Sequence, residues 1–143
     1  MNRRLRVLIV MAHHEMARST RAWVEGCGYE ADTCAGFTAA STQLRRTPDL
    51  VIAEVRLGAF NGLHVAMHAL CEGIPAIVMG ADDPVLRKEA RTMGVSYVTP
   101  DVHEHAMSAL VENLVTMRLA RRLPRVRHAE PQIAEAHRPA AVA

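Results

Sequence analysis

Aromatic residues are scarce in this chain. One Trp, two Tyr and two Phe make up 3% of its 143 residues, whereas half of all residues are hydrophobic. A core built from this composition must be aliphatic and rich in methionine, of which the chain has eight. The length is sufficient for one domain with a substantial core and too short for two.

Long apolar runs are missing as well. No stretch approaches the roughly 20 apolar residues that a membrane-spanning helix needs. Residues 7–11 are apolar and follow three arginines, but this run is shorter than the apolar region of a signal peptide, and His13 and His14 follow it closely. We therefore expect a cytoplasmic protein that does not contact a membrane.

Two further features limit the possible chemistry. The three cysteines have no metal-like spacing and an odd count, which favours reduced thiols over a disulfide framework. No glycine-rich phosphate loop follows the first apolar run, which argues against Rossmann-type or P-loop nucleotide binding. We expect no cofactor.

What the chain does contain is a regular alternation of apolar runs and helical patterns. Strands are predicted at residues 5–11, 29–34, 50–55, 74–79 and 95–99, and each is followed by a predicted helix. The fourth helix has clear ends, because Asp83 and Pro84 favour its start and Gly94 its stop. Five such repeats with short connections predict an α/β fold with a doubly wound parallel sheet.

The third predicted strand lies within residues 48–63, the segment around which the rest of the chain is organised. Residues 50–53 are apolar without alternation, as in a strand buried on both faces, and the run ends at a single carboxylate, Glu54. Asn61 and Gly62 then form a turn dipeptide before the next helix. A carboxylate at the carboxyl end of a central parallel strand lies where open α/β sheets bind ligands, although it can equally face water there.

Residues 48–63 resemble the third strand and following loop of two-component response-regulator receiver domains, which are CheY-like. The resemblance covers about residues 6–118 and implies a flavodoxin-like (βα)5 fold with the strand order 2-1-3-4-5. We expect a receiver-like domain over residues 1–119. Residues 120–143 are rich in Arg, Pro and Ala and lack apolar periodicity, which predicts a flexible tail or linker.

The residues that carry out phosphoryl transfer in this family are replaced here. Glu54 stands at the phosphoacceptor position, where the family has Asp. Met11 and Ala12, followed by His13, stand where the family has two acidic residues that hold magnesium. Neither Met nor Ala offers the hard oxygen ligands that this ion prefers, so no metal site is expected.

The other family positions depart in the same way. Gly80 replaces a Thr or Ser, and Thr99 and Pro100 follow the fifth strand without the family's Lys. An aromatic residue that acts as a switch in the family aligns with Tyr97. The resemblance therefore implies a degenerate pseudo-receiver that is not phosphorylated and is not an enzyme. Glu54 itself is either a mimic of the phosphorylated residue or a solvated carboxylate at a strand end.

Histidines and arginines invite other interpretations. His64 and His68 share one face of a predicted helix and could chelate zinc, but core or surface positions suit them better. From Arg118 onward the chain has six arginines and two acids, which is more typical of a solvated tail than of a nucleic-acid-binding surface.

The leading functional hypothesis is a phosphorylation-independent signalling module that binds proteins: a histidine kinase, another regulator, an output protein or a second copy. In the family the fourth helix, fifth strand and fifth helix form the common partner surface, and five residues map to it here if they are exposed: Val85, Met93, Tyr97, Val102 and Met107. Val85 and Met107 could equally belong to the core. The alternative is a small-molecule sensor that uses the former phosphorylation pocket around Met11, Ala12, His13, Glu54 and Gly80.

Overall fold

A computed structural model describes residues 4–57, 60–101 and 104–122. The strands are β1 (Arg6–Val10), β2 (Glu30–Cys34), β3 (Leu50–Glu54), β4 (Arg56–Leu57), β5 (Phe60–Asn61), β6 (Ala76–Met79) and β7 (Ser96–Val98). The helices are α1 (His14–Gly26), α2 (Phe37–Leu44), α3 (Gly62–Cys71), α4 (Pro84–Met93) and α5 (Glu104–Arg122). Within these ranges, no helix combines the length and apolar character needed to cross a membrane.

Five of the strands form one parallel sheet in the order β2-β1-β3-β6-β7. This confirms the flavodoxin-like order 2-1-3-4-5 that the family resemblance implied, because β6 and β7 are the fourth and fifth strands of the repeat. The short strands β4 and β5 form a separate antiparallel hairpin that the sequence did not predict. This hairpin lies in the loop between β3 and α3.

Helices cover both faces of the sheet. Side chains such as Leu8 and Val10 point to one face, where they pack with buried residues of α2, α3 and α4. Their neighbours Val7 and Ile9 point to the other face, where α1 and α5 lie. The central strand β3 is fully buried from Leu50 to Ala53, which accounts for its uninterrupted apolar run.

The ends of α4 follow from three residues. The Asp83 side chain caps the helix by accepting a hydrogen bond from the Val85 N–H at 2.9 Å, and Pro84 occupies the first turn. Gly94 ends the helix in the left-handed conformation, with φ of 80°. The predicted start and stop of this helix are both confirmed.

The buried face of α3 includes Leu63, Val65, Ala66 and Ala69, whereas Met67 is 48% exposed. Met67 therefore contributes to the surface and not to the core.

The last helix is anchored by a buried ion pair. The Arg118 guanidinium donates a hydrogen bond to the Pro48 carbonyl and lies 4.0 Å from an Asp49 carboxylate oxygen. Asp49 also accepts the Arg6 N–H at 2.9 Å. Arg118 is 7% exposed, so this first residue of the arginine-rich end belongs to the folded domain.

Candidate functional site

The carboxyl ends of three neighbouring strands bring together the residues that the sequence pointed to. Val10 pairs with Ala53 and Glu54 with Met79 in the parallel register. Met11, Glu54 and Gly80 therefore stand side by side at one edge of the sheet. Parallel sheets bind ligands at this edge, where the strand order reverses.

Glu54 is half-buried and its carboxylate has a partner. One carboxylate oxygen accepts a hydrogen bond from the Ala12 N–H at 3.2 Å. This bond links the end of β3 to the loop after β1. The backbone of Ala12 thus orients the carboxylate. Receiver domains have an acidic residue at the position of Ala12.

Met11 belongs to the hydrophobic core. Its side chain is 2% exposed and packs with the residues beneath α1 and α5. Ala12 and His13 are exposed. Among residues 4–57, 60–101 and 104–122, no three His, Cys, Asp or Glu side chains come close enough to hold a metal ion.

Gly80 faces the ring of Tyr97. A Cβ atom built at Gly80 would lie 2.5 Å from the Tyr97 hydroxyl and 2.6 Å from a methyl group of Val55. Both distances are far below van der Waals contact. The absence of a side chain at position 80 is therefore what allows Tyr97 to lie in this position.

Tyr97 holds the loop between β6 and α4. Its hydroxyl donates a hydrogen bond to the Ala81 carbonyl at 2.6 Å, and the Arg87 guanidinium lies 5.5 Å from the ring centre. Burial, with the nearby carboxylate of Asp83, raises the pKa of Tyr97 above its ordinary value. The phenol is consequently neutral and able to donate throughout the physiological range.

Arg87 makes a second contact with the same loop. Its guanidinium donates a hydrogen bond to the Asp82 carboxylate at 2.7 Å, while Asp83 caps α4. Three consecutive residues after Gly80 are thus fixed by a tyrosine, an arginine and a helix cap. Thr99, half-buried, and Pro100, exposed, follow β7 at the same edge.

The five residues proposed for a partner surface have different environments. Val85 is 69% exposed, and Met93 and Tyr97 are half-buried against the core. Met107 is 5% exposed and packs in the core, so it does not meet the condition of exposure on which its assignment to the partner surface depended. Val102 lies outside the described residues.

An aromatic cluster beside the site was not predicted. The rings of Phe37 and Phe60 stack with centres 4.9 Å apart, and His68 packs edge-on against Phe37 at 5.1 Å. Phe60 is 47% exposed. The sequence offered one signal for this cluster, namely that the chain has only two phenylalanines. Their contact joins α2 to the hairpin, and the spacing of the two residues along the sequence does not indicate it.

A groove between α3 and α4 was also missed. It has a volume of about 510 Å³ and is lined by both exposed and buried side chains. Met67 of α3 and Val85 of α4 contribute apolar surface to it. His64 lies on the same groove, separated from the cluster that engages His68.

Comparison with solved structures identifies the fold. The signal receiver domain of a Vibrio parahaemolyticus protein described as a Luxo repressor is similar, with a TM-score of 0.77, 17% identity, and coverage of 87% of this chain and 99% of that one. A Chloroflexus aurantiacus protein described as a response regulator has a TM-score of 0.73 and 20% identity over 80% of this chain and 99% of that one.

A CheY-like receiver domain protein of Methanospirillum hungatei gives the same result, with a TM-score of 0.71 and 19% identity over 83% of this chain and 99% of that one. No family model matches the sequence, and no curated protein matches it either. The likeness therefore lies in the three-dimensional arrangement. The chain has the flavodoxin-like, CheY-like fold of response-regulator receiver domains.

Proposed function

We propose that this chain is a cytoplasmic signalling module, related to two-component response regulators, that acts through protein contacts and without phosphoryl transfer. Its receiver-like domain comprises residues 1–119 and its tail or linker residues 120–143. The helix α5 continues to Arg122, and residues 123–143 lie outside the described residues. The observation that carries the proposal is the environment of Glu54, whose carboxylate accepts a hydrogen bond from the Ala12 N–H.

Phosphoryl transfer to a carboxylate needs a magnesium ion, held by hard oxygen ligands, that offsets the charge of the transferring group. The attacking oxygen must also point at the phosphoryl group. Here the Ala12 N–H donates to one of the two Glu54 oxygens and orients the carboxylate toward the loop after β1. Met11, at a position of a metal-binding acid in the family, has its side chain in the core.

The same geometry argues against the small-molecule sensor. That hypothesis requires the replaced residues to open a less polar cleft. Met11 is instead 2% exposed, and the space beside Gly80 is filled by Tyr97 and Val55. Two of the five residues assigned to such a pocket therefore contribute no open volume, which favours a function at the surface.

The partner in this proposal is a protein: a histidine kinase, another regulator, an output protein or a second copy of the chain. No chemical step is assigned to the module. The phenol of Tyr97 and the loop that it holds lie next to the exposed part of α4, so the surface offered to a partner is fixed by internal contacts. Such a surface is presented without an activating modification.

Intact mass spectrometry tests the proposal. The chain, its Glu54→Gln variant and an ordinary receiver domain with an acceptor Asp are incubated with magnesium and a small phosphodonor. We expect only the ordinary receiver to gain the mass of a phosphoryl group, about 80 Da. A gain in this chain that Glu54→Gln abolishes would contradict the proposal.

A further inference from the structure

The groove between α3 and α4 is largely apolar. Leu63 and Met67 line it from α3, and Val85 and Met93 line it from α4. Met67 is 48% exposed and Val85 69% exposed. Two large apolar side chains on facing helices leave apolar surface open to solvent, which favours its burial by another segment.

A smaller hollow adjoins this groove at the end of the last helix. Leu70 of α3, Gly94 at the end of α4 and Met117 of α5 contribute to its lining. Leu70 lies about one helical turn beyond Met67, so the hollow continues the groove along α3. Met117 is 51% exposed, and α5 ends only five residues later. A route with apolar side chains therefore leads from the end of α5 into the groove.

The segment that leaves α5 has a composition that suits this route. Residues 123–133, which the structure does not describe, follow the helix directly and read LPRVRHAEPQI. Pro124 and Pro131 disfavour a helix and favour an extended chain, which loses less conformational freedom when it binds. Its large apolar residues are Leu123, Val126 and Ile133.

The length of the segment is sufficient. An extended proline-rich chain advances about 3.1 Å per residue, so the eleven residues 123–133 span about 34 Å. From Gly94 back to Val85, the side of α4 that borders the groove is about 14 Å long at the rise of an α-helix. The segment can thus pass the hollow and still follow the groove to Val85.

Charge favours the same occupant. Residues 1–117 carry 11 Lys and Arg against 13 Asp and Glu, whereas residues 118–143 carry six Arg against two Glu. The negatively charged domain therefore attracts its own positively charged end. Glu89 lines the groove and takes part in no salt bridge within the described part of the chain. This carboxylate is an ion-pair partner for Arg125 or Arg127.

We propose that residues 123–133 bind back into the groove between α3 and α4 and shield it from other proteins. Covalent attachment gives the segment an effective concentration of about 1 mM. Contacts that would give a separate peptide a Kd of about 0.3 mM then keep the groove occupied about three-quarters of the time. The inference goes beyond the proposed function and does not depend on it. A protein partner that uses this groove has to displace the segment first.

Limited trypsin digestion of the full chain tests the contact. Trypsin cleaves after Arg125 and Arg127 only while the segment is released, so this occupancy slows both cleavages about fourfold. Intact mass spectrometry gives the initial rates for the wild type and for Met67→Asp, which places a charge in the groove. We expect both cleavages to be about fourfold faster in Met67→Asp. Ala22→Asp, at an exposed position of α1, is the matched control and should be cleaved like the wild type.

A variant in the segment itself guards against damage to the fold. Ile133→Asp leaves the described domain unchanged and puts the same charge on the other side of the contact, so it should accelerate cleavage equally. Equal rates in the wild type and both variants overturn the proposal. Acceleration in only one of the two variants also overturns it, because a damaged domain or a contact outside the groove then accounts for the change.

Protein concentration separates this contact from one between two copies. Protection within one chain is the same at about 1 µM and about 100 µM, whereas a segment that enters the groove of a second copy protects more strongly as the concentration rises. Such a rise would overturn the contact within one chain. The phosphodonor experiment reports on Glu54 and the digestion on Arg125 and Arg127, so either proposal can fail without the other.

Discussion

Alanine at Gly80 would place a methyl group in space that Tyr97 and Val55 already occupy. The added Cβ would lie 2.5 Å from the Tyr97 hydroxyl and 2.6 Å from the Val55 methyl group. The Gly80 backbone is not in the left-handed region, so alanine introduces no φ strain. Any loss of stability must therefore come from these two contacts.

The expected cost follows from the two ways in which the structure can respond. If Tyr97 stays, overpacking costs about 1–3 kcal/mol, offset by the roughly 0.5 kcal/mol that alanine gains over glycine through the unfolded chain. If Tyr97 leaves, the hydrogen bond to the Ala81 carbonyl is lost, at about 1 kcal/mol. The cation–π contact with Arg87 is lost with it, at about 0.5–1 kcal/mol. Both routes predict that Gly80→Ala lowers the free energy of unfolding by about 1–2 kcal/mol.

Urea denaturation followed by circular dichroism measures this change. Gly26→Ala is the matched control, because a Cβ there meets nothing within 4 Å and alanine is favoured over glycine in a helix by up to about 1 kcal/mol. In a Tyr97→Phe background the contact with the hydroxyl is absent, so Gly80→Ala should cost about 1 kcal/mol less. If Gly80→Ala is as stabilising as Gly26→Ala in both backgrounds, Tyr97 does not fill the space beside Gly80.

Two further predictions concern buried groups elsewhere. Arg118→Met should lower the free energy of unfolding by about 3 kcal/mol, because it removes the cation that faces the buried Asp49 carboxylate. Leu119→Ala, at an exposed position, is the control in the same denaturation experiment. Equal effects of the two substitutions would contradict a stabilising role for the ion pair. Burial raises the pKa of Cys34 to about 11, so at pH 8 iodoacetamide should alkylate the other two cysteines, both exposed, well before Cys34, with the Cys34 rate rising as the pH approaches 11. Peptide mapping after timed alkylation measures this order, and Cys34 reacting first would refute it.

The sheet was predictable because its central strands are buried on both faces. Residues 50–53 are uninterrupted apolar, and the run is too short for a helix. The start of α4 was predictable for a local reason as well, since Asp83 and Pro84 act on the first turn of their own helix. These signals depend only on neighbours in the chain.

Features that depend on distant contacts could not be predicted. In the sequence Arg118 is one of several arginines. Nothing there indicates its contact with the Pro48 carbonyl, which lies 70 positions away in the chain. Two-residue strands such as β4 and β5 are too short to have an alternation pattern. Position 80 was recognised as lacking a hydroxyl, but the sequence did not indicate that the Tyr97 phenol lies in the space a side chain would fill.

The sequence predicted which residues form the candidate site, but it did not predict which atoms they contact. Alignment to the family brought Met11, Ala12, Glu54 and Gly80 to one edge of the sheet, as the register places them. It left open whether Glu54 is solvated or a mimic of a phosphorylated residue. The hydrogen bond from the Ala12 N–H adds a backbone contact that the sequence did not indicate.

The contact between Arg118 and the start of β3 also determines where the chain can be shortened or fused to another protein. Truncation before residue 118 removes the cation that faces the buried Asp49 carboxylate, although the Arg6 N–H still donates to that carboxylate. A reporter or affinity tag joined after Arg122, where α5 ends, keeps that pair intact. Versions of this protein for biophysical work should therefore retain the whole of the last helix.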